Sequence, residues 1–397
     1  MTISTKTPDI SKTTALKFVL LLSIVDLFAD MTYEGARSIT GPFMAILGAN
    51  AAIVGFVAGL GEFVGYALRI VSGYLADRFK QYWIITIFGY ACNLLAVPLL
   101  ALAGHWWMAA VLIVMERMGK AIRVPPRDAM LAHAGQRMGM GWVFGLHEAI
   151  DQIGAMVGPL IVAVVMYYQG HHYQYGFAVL LVPALLALTI LLLARFMYPH
   201  PQSLEITQEF ATQGIPKPFW LYLSAAALIA AGYADFPLIA FHFQKQAIVS
   251  PIVIPIAYSV AMGLSAITAL LLGHFYDRRG FSVLIVVTVS TCVFAPLVFF
   301  GNESMSLIGV ALWSIGMGAQ ESLMRAIVAN MVSKDRRASA YGVFNTGYGF
   351  CWFLGSCVMG ILYDVSILSL VLFSMGIQLL AVPLLWMVMK NINVTTE

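Results

Sequence analysis

Charge is scarce in this chain of 397 residues: Asp, Glu, Lys and Arg make up 10% of it, against about a quarter in an ordinary soluble domain. Hydrophobic residues rise to 60%, so a water-soluble fold of this size is excluded. Cysteine is scarce too. Cys92, Cys292, Cys351 and Cys357 all fall in apolar stretches without metal-ligand spacing, which argues against a disulfide framework and a zinc site. No nucleophile elbow, phosphate-binding glycine loop or Walker-type run occurs, so an enzyme is not expected, nor is nucleotide-driven work. A net charge of +3, from 22 basic and 19 acidic residues, is too small for nucleic-acid binding. The first apolar run begins near Leu16, holds Asp26, Asp30 and Glu34 and lacks a small-residue cleavage site, so no cleaved leader is expected.

What the sequence has is apolar length. Runs at 16–41, 50–75, 82–103, 106–127, 139–167, 174–196, 218–243, 252–275, 281–300, 305–332, 338–363 and 366–389 read as twelve membrane spans. At about 20 residues per crossing, twelve crossings use about 240 residues and leave little room for a separate soluble domain. Lys and Arg gather in alternate connections: Lys6, Lys12 and Lys17; Arg78 and Lys80; Arg137; Arg195 and Lys217; Arg278 and Arg279; Lys334, Arg336 and Arg337; and Lys390. The opposite connections hold little beyond Arg37 and Lys245, so both termini are expected in the cytoplasm. The longest polar connection, 197–217, divides the chain into 1–196 and 218–397. Across it a motif recurs: Gly73-Tyr-Leu-Ala-Asp77-Arg78 after the second span and Gly273-His-Phe-Tyr-Asp277-Arg278 after the eighth. Repeats of this kind build carriers whose substrate site lies between the halves.

Two further stretches complete a resemblance. The fourth span ends Glu116-Arg-Met-Gly-Lys120-Ala-Ile-Arg123-Val-Pro-Pro-Arg127-Asp128, and the fifth holds Gly154-Ala-Met-Val-Gly158-Pro159. With the two loop motifs, these make the chain resemble a major facilitator superfamily transporter over essentially its full length, and a proton-coupled, efflux-type bacterial branch in particular. The resemblance implies an all-α membrane protein of the major facilitator fold. Its twelve transmembrane helices form an N-terminal half, 1–196, and a C-terminal half, 218–397, joined by a cytoplasmic linker, 197–217. It also implies alternating access in the bacterial inner membrane, a proton gradient rather than a cofactor as energy source, and a monomer. The loop motifs would gate it: Gly73, Asp77, Arg78 and Asp128 in one half, Gly273, Asp277 and Arg278 in the other. Asp77 would dock on the start of the eleventh helix and Arg78 would pair with Asp128, latching the outward-facing state.

Ionisable groups inside the spans carry the mechanism, because each costs several kcal/mol in a bilayer unless paired or hydrated. Nine are acids: Asp26, Asp30, Glu34, Glu62, Glu116, Glu148, Asp151, Asp235 and Glu321. Six are bases: Arg37, Arg69, Arg117, Lys120, Arg123 and Arg325. The excess of three carboxylates requires protons or a cation. Asp26, Asp30 and Glu34 step by four, on one face expected to look at the central cavity. With Glu148 and Asp151 they are the candidate proton-coupling residues. Candidate substrate contacts are Glu62, Glu116, Arg117, Lys120, Arg123, His147, Asp235, Glu321, Arg325 and Asn345. Glu321 and Arg325 are four apart and expected to pair. Tyr341, Phe344, Tyr348 and Trp352 recur on one face of the eleventh span, where lipid or helix packing is the simpler expectation. His242 is expected at the membrane interface.

The leading expectation is proton-coupled efflux of an organic or cationic small molecule by antiport. An uptake symporter for a nutrient or anion, using Arg117, Lys120 and Arg123, is the alternative. A divalent-metal carrier is disfavoured, because a ladder from Asp26 to Glu34 spreads its ligands over about 12 Å.

Overall fold

The computed structural model describes residues 12–79, 81–199, 216–332 and 337–394, and apart from one short 3-10 turn at Leu100–Leu102 the elements among them are α-helices. They are α1 (Lys12–Ile46), α2 (Ala51–Phe79), α3 (Tyr82–Leu99), α4 (Trp106–Met138), α5 (Met140–Tyr168), α6 (Tyr173–Val179), α7 (Leu181–Met197), α8 (Lys217–Gly232), α9 (Phe236–Lys245), α10 (Val253–Arg279), α11 (Ser282–Thr291), α12 (Phe294–Phe300), α13 (Glu303–Met331), α14 (Arg337–Val365) and α15 (Ile367–Val394). The expected spans are all present, but three of them are broken in two: α6–α7, α8–α9 and α11–α12. In each case a proline, Pro183, Pro237 or Pro296, stands in the first turn of the second piece. There its missing N–H has no intrahelical partner to lose. At the second break Asp235 caps α9, accepting from the Phe236 N–H at 2.9 Å.

Nine candidate spans among the described residues are long and apolar enough to cross a membrane by composition alone. Those outside that set are α1, α4 and α13, and they hold Asp26, Asp30, Glu34 and Arg37, the basic run from Arg117 to Arg127, and Glu321. The polar residues that weaken these helices as membrane spans are the ones that build the site.

Helices α1–α7 pack chiefly among themselves, and so do α8–α15. The halves meet where α2 lies on α14, α5 on α10, and α1 on α9 and α10. We call the end at which α1 begins and α15 finishes the terminal end and the opposite end the far end. At the far end the halves touch backbone to backbone. A Cβ on Gly41 would collide with the Pro237 carbonyl, and one on Gly55 with the Ser356 carbonyl. Asp364, at the end of α14, accepts from the Ala51 and Ala52 N–H groups at 3.2 and 2.9 Å. It thereby satisfies the open N-terminus of α2 across the interface. Lys245 reaches Asp364 at 3.8 Å, and Tyr173 donates to Gln244 at 2.6 Å. His242 is buried in this seal with its Nδ1 2.8 Å from the Tyr363 hydroxyl, not at a membrane interface. Toward the terminal end a Cβ on Gly65, Gly145 or Gly273 meets nothing within 4 Å. Among the described residues, the backbone contacts that join the halves gather at the far end.

Candidate functional site

Between the halves lies a cavity of about 380 Å³. Its N-terminal wall is Glu34 and Arg37 of α1, Glu62, Tyr66 and Arg69 of α2, and Arg117 and Lys120 of α4. Facing them are Gln320, Glu321 and Met324 of α13 and Tyr341, Phe344, Asn345, Tyr348 and Trp352 of α14. A charged wall thus opposes an aromatic and amide wall. The rings of α14, expected to pack against lipid or helices, do pack against Tyr66, Tyr222 and Tyr233 of neighbouring elements, and they line the cavity as well, because α14 crosses the interface on α2. Phe344 and Tyr348 stack at 5.9 Å, Tyr348 meets Trp352 at 5.7 Å, and the Tyr348 hydroxyl donates to Gln320 at 2.5 Å.

The charged wall is a chain of ion pairs. Arg37 lies 2.9 Å from Glu62 and 2.8 Å from Asp235, tying α1 to α2 and, across the interface, to the break before α9. Arg117 lies 3.3 Å from Glu116 and 3.6 Å from Glu62, and Asn93 donates to Glu116 at 2.8 Å. Lys120 lies 3.9 Å from Glu34 and 3.8 Å over the Tyr33 ring. Glu34 in turn accepts from the Tyr258 hydroxyl of α10 at 2.5 Å, a direct bond between the halves. Arg69 sits over the Tyr66 ring at 5.3 Å.

Asp26 and Asp30 do not share this surface. The four-residue step of α1 turns them into the interior of the N-terminal half, so only Glu34 of the ladder reaches the cavity wall. Asp26 is fully buried between Arg123, Arg127 at 2.9 Å, the Tyr90 hydroxyl at 2.7 Å and His147 Nε2 at 3.4 Å. Arg123 also stands 3.9 Å from Asp30. Arg123 and His147, expected as substrate contacts, therefore lie behind the cavity wall. Asp235 and Glu116 line a smaller pocket of about 30 Å³ on the far side of Arg37. Asp151 of α5 joins Asp26 and Asp30, one carboxylate oxygen of each lying within 4.8 Å of the others. Glycine makes that meeting possible: a Cβ on Gly154 or Gly158 would strike the Leu27 or Met31 carbonyl of α1. The spacing argument against clustered acids thus covers Glu34 but not this group, which Asp151 completes. Glu148 is exposed and accepts from Gln152 at 3.3 Å.

Arg127 is the partner that sequence reading placed at a span end; α4 continues to Met138, and Arg127 folds back on Asp26. Counting it brings the carboxylate excess from three down to two. Tyr33, Tyr90 and Tyr258 were also missed; the available signal was a hydroxyl in mid-span, which needs a partner there. At the terminal end Arg78 donates to the Tyr74 hydroxyl at 3.1 Å, and Asp128 accepts from Arg127 at 2.7 Å. The expected Arg78–Asp128 pair is not among the described contacts. Gly73 faces Pro125 of its own half, Gly273 faces open space and Arg278 is exposed. The side chains of Asp77, Asp277 and Arg325 lie outside the described residues, as do 200–215 of the linker and 333–336 before α14.

Two helical halves that close on each other at one end around a polar cavity define a multi-pass membrane carrier. The chain belongs to the Major Facilitator Superfamily, which matches residues 22–356, and is a secondary transporter. An uncharacterized protein of Mycobacterium tuberculosis is 40% identical over 379 residues, covering 94% of this chain and 93% of its own. The multidrug resistance protein MdtH of Photorhabdus laumondii is 33% identical over 119 residues, 30% of this chain and 29% of its own. The solved structure of the nucleoside transporter NupG superposes with a TM-score of 0.72 at 15% identity, covering 94% of this chain and 98% of that one.

Proposed function

We propose that the protein exports a small organic cation across the bacterial inner membrane in exchange for protons, working as a monomer. In this reading both termini and the linker 197–217 are cytoplasmic, and the halves 1–196 and 218–397 rock about the cavity. The structure then corresponds to the cytoplasm-open state, in which the latch at Gly73–Arg78 and Asp128 is released.

The observation that carries the reading is the convergence of Asp26, Asp30 and Asp151 within 4.8 Å inside the N-terminal half. Two guanidiniums, Arg123 and Arg127, reach this group. With Glu34 and its partner Lys120 added, four carboxylates face three cations in a medium that penalises unbalanced charge. A proton completes the balance. Export of a cation is supported by the aromatic face of α14, since flat rings attract cations, and by the similarity of part of the chain to a multidrug resistance protein. The test is reconstitution in liposomes with an internal pH dye and a panel of organic cations that includes tetraphenylphosphonium and ethidium. Cation added outside should draw protons out and raise the internal pH in wild type and not in Asp30→Asn or Asp151→Asn. Wild-type coupling in both variants would overturn the reading.

One observation favours uptake of an anion instead: Arg69, Arg117 and Lys120 stand on one wall of the cavity. In that case organic anions, not cations, would drive proton movement, in the same direction as their own.

A further inference from the structure

Lys120 stands between two compartments. It lines the central cavity, where its ammonium lies 3.9 Å from one oxygen of Glu34. Asp30, a member of the buried acidic group behind the wall, lies one helical turn before Glu34 on α1, and the Lys120 ammonium sits 3.8 Å over the ring of Tyr33 between them. The other oxygen of Glu34 accepts from Tyr258 of the opposite half. The next residue, Ser259, donates to the Met156 carbonyl of α5 at 2.7 Å. Buried carboxylates, a lysine, a cavity carboxylate and an inter-half hydrogen bond therefore form one continuous series.

The groups that face this lysine come from every neighbouring element. On its own helix they are Glu116, Arg117 and Arg123; from α1, Asp30, Tyr33 and Glu34; from α2, Glu62. Beyond them, Asp151 of α5 acts on Asp30, and Tyr258 of α10 bonds to Glu34. Arg117 and Arg123 repel Lys120 and are themselves held by other acids. Glu62 and Glu116 are held by Arg37 and Arg117, which leaves Asp30 and Glu34 to compete for its ammonium.

We infer that Lys120 is the positioning residue that links proton binding at Asp30 and Asp151 to cation binding at Glu34 and, through Tyr258, to the approach of the two halves. The inference rests on the proton-linked export proposed above and says how proton and substrate exclude one another there. An ammonium on a flexible four-carbon stem changes partner without backbone movement, which a planar guanidinium fork does less readily. With the buried carboxylates ionised, the ammonium is drawn toward Asp30, and Glu34 is left to a cationic substrate and Tyr258. A proton bound at the buried group removes that attraction. The ammonium then settles on Glu34 and displaces the cation. Proton and substrate compete without ever sharing a carboxylate.

The experiment uses the full-length protein in lipid nanodiscs, with no transported ligand. Spin labels replace the exposed Trp142 of α5 and Phe275 of α10, one on each half at the terminal end. Double electron–electron resonance follows their separation between acid and alkaline pH, and back-titration counts the protons bound over the same interval. Wild type should bind protons and shift its distance distribution. In Lys120→Gln the proton count should stay, while the pH-driven shift falls by at least about fivefold, the lower end of ordinary coupling energies. Glu34→Gln and Tyr258→Phe should behave the same way. An unaltered shift in Lys120→Gln overturns the inference. So does joint loss of proton binding and shift, which would place Lys120 within the proton site itself. If Lys120→Gln does not fold, an intact shift in both Glu34→Gln and Tyr258→Phe overturns it equally. A wild type that binds no protons and does not move overturns the proton-linked reading beneath it.

Discussion

Asp26 and Asp30 lie one helical turn apart and are chemically identical, yet their surroundings give them different work. Asp26 is enclosed by Arg123, Arg127, Tyr90 and His147, accepting from partners on α3 and α4 and lying 3.4 Å from the His147 ring of α5. Asp30 has the Arg123 guanidinium at 3.9 Å and the Asp151 carboxylate nearby. Asp26→Asn leaves two guanidiniums buried with their shared carboxylate gone, which costs about 3–5 kcal/mol by analogy with other broken buried pairs. We expect a clear fall in the thermal midpoint of the purified protein. Asp30→Asn should keep the midpoint near wild type and abolish proton-coupled flux. A wild-type midpoint in Asp26→Asn would show that Asp26 is not the structural anchor. Glu148 offers the opposite control: exposed and bonded to Gln152, it should tolerate replacement by Gln with little change in coupling, as measured by the same dye assay.

At the scale of the element, the crossing of α1 and α5 decides whether Asp151 meets Asp30 at all. Gly154 and Gly158 let the two backbones touch, and the Cβ of Asp30 lies 3.1 Å from where a Gly154 Cβ would stand. A side chain there must push α5 away, at a cost of about 1–3 kcal/mol for overpacking a close contact. Gly154→Val should therefore lower thermal stability and weaken proton coupling together, while Gly145→Val, in open space at the terminal end, should leave both unchanged. Equal behaviour of the two variants would dissociate the crossing from the coupling. The broken span α8–α9 is a second such element. Its gap lets Asp235 point its carboxylate both to the Phe236 N–H and to Arg37, so one side chain caps a helix and clasps the other half.

For the whole molecule the governing contact is the antiparallel pair of α2 and α14. Asp364 at the end of α14 caps the start of α2 at the far end. Asp77 at the end of α2 was expected to cap the start of α14 at the terminal end. The same device, an acid on one helix satisfying the free N–H groups of its partner, would then hold each state in turn. Such a contact has to be worth only a few kcal/mol, since both states must be populated in a working cycle. Asp364→Asn should shift the population toward the state open at the far end, read as increased labelling of Thr40→Cys, a buried position that lines the pocket beside Arg37. Joining Ala52→Cys to Asp364→Cys with a short cross-linker should do the reverse: transport stops while a cysteine at Gly65 stays reactive. Continued transport by the cross-linked protein would refute the far-end seal.

The sequence alone determined the solvent, the number of spans and the positions of almost all the charges. Apolar length and the distribution of Lys and Arg are local properties that need no knowledge of packing. It also showed the repeat at Gly73 and Gly273 and the close-packing glycines of α5, because both are written in consecutive residues. What it left undecided was which face of each helix meets which neighbour. A step of four places Asp26, Asp30 and Glu34 on one face of α1, but that face is broad, and α5 and α4 cover its first two members while the third emerges at the cavity. Arg127 was legible as a charge and not as the partner of Asp26, because helix ends are set by tertiary contacts. The aromatic row of α14 has the same spacing whether it faces lipid or a cavity. Only the contact of α14 with α2 decides between them, and that contact joins residues about 300 positions apart, beyond the reach of any periodicity.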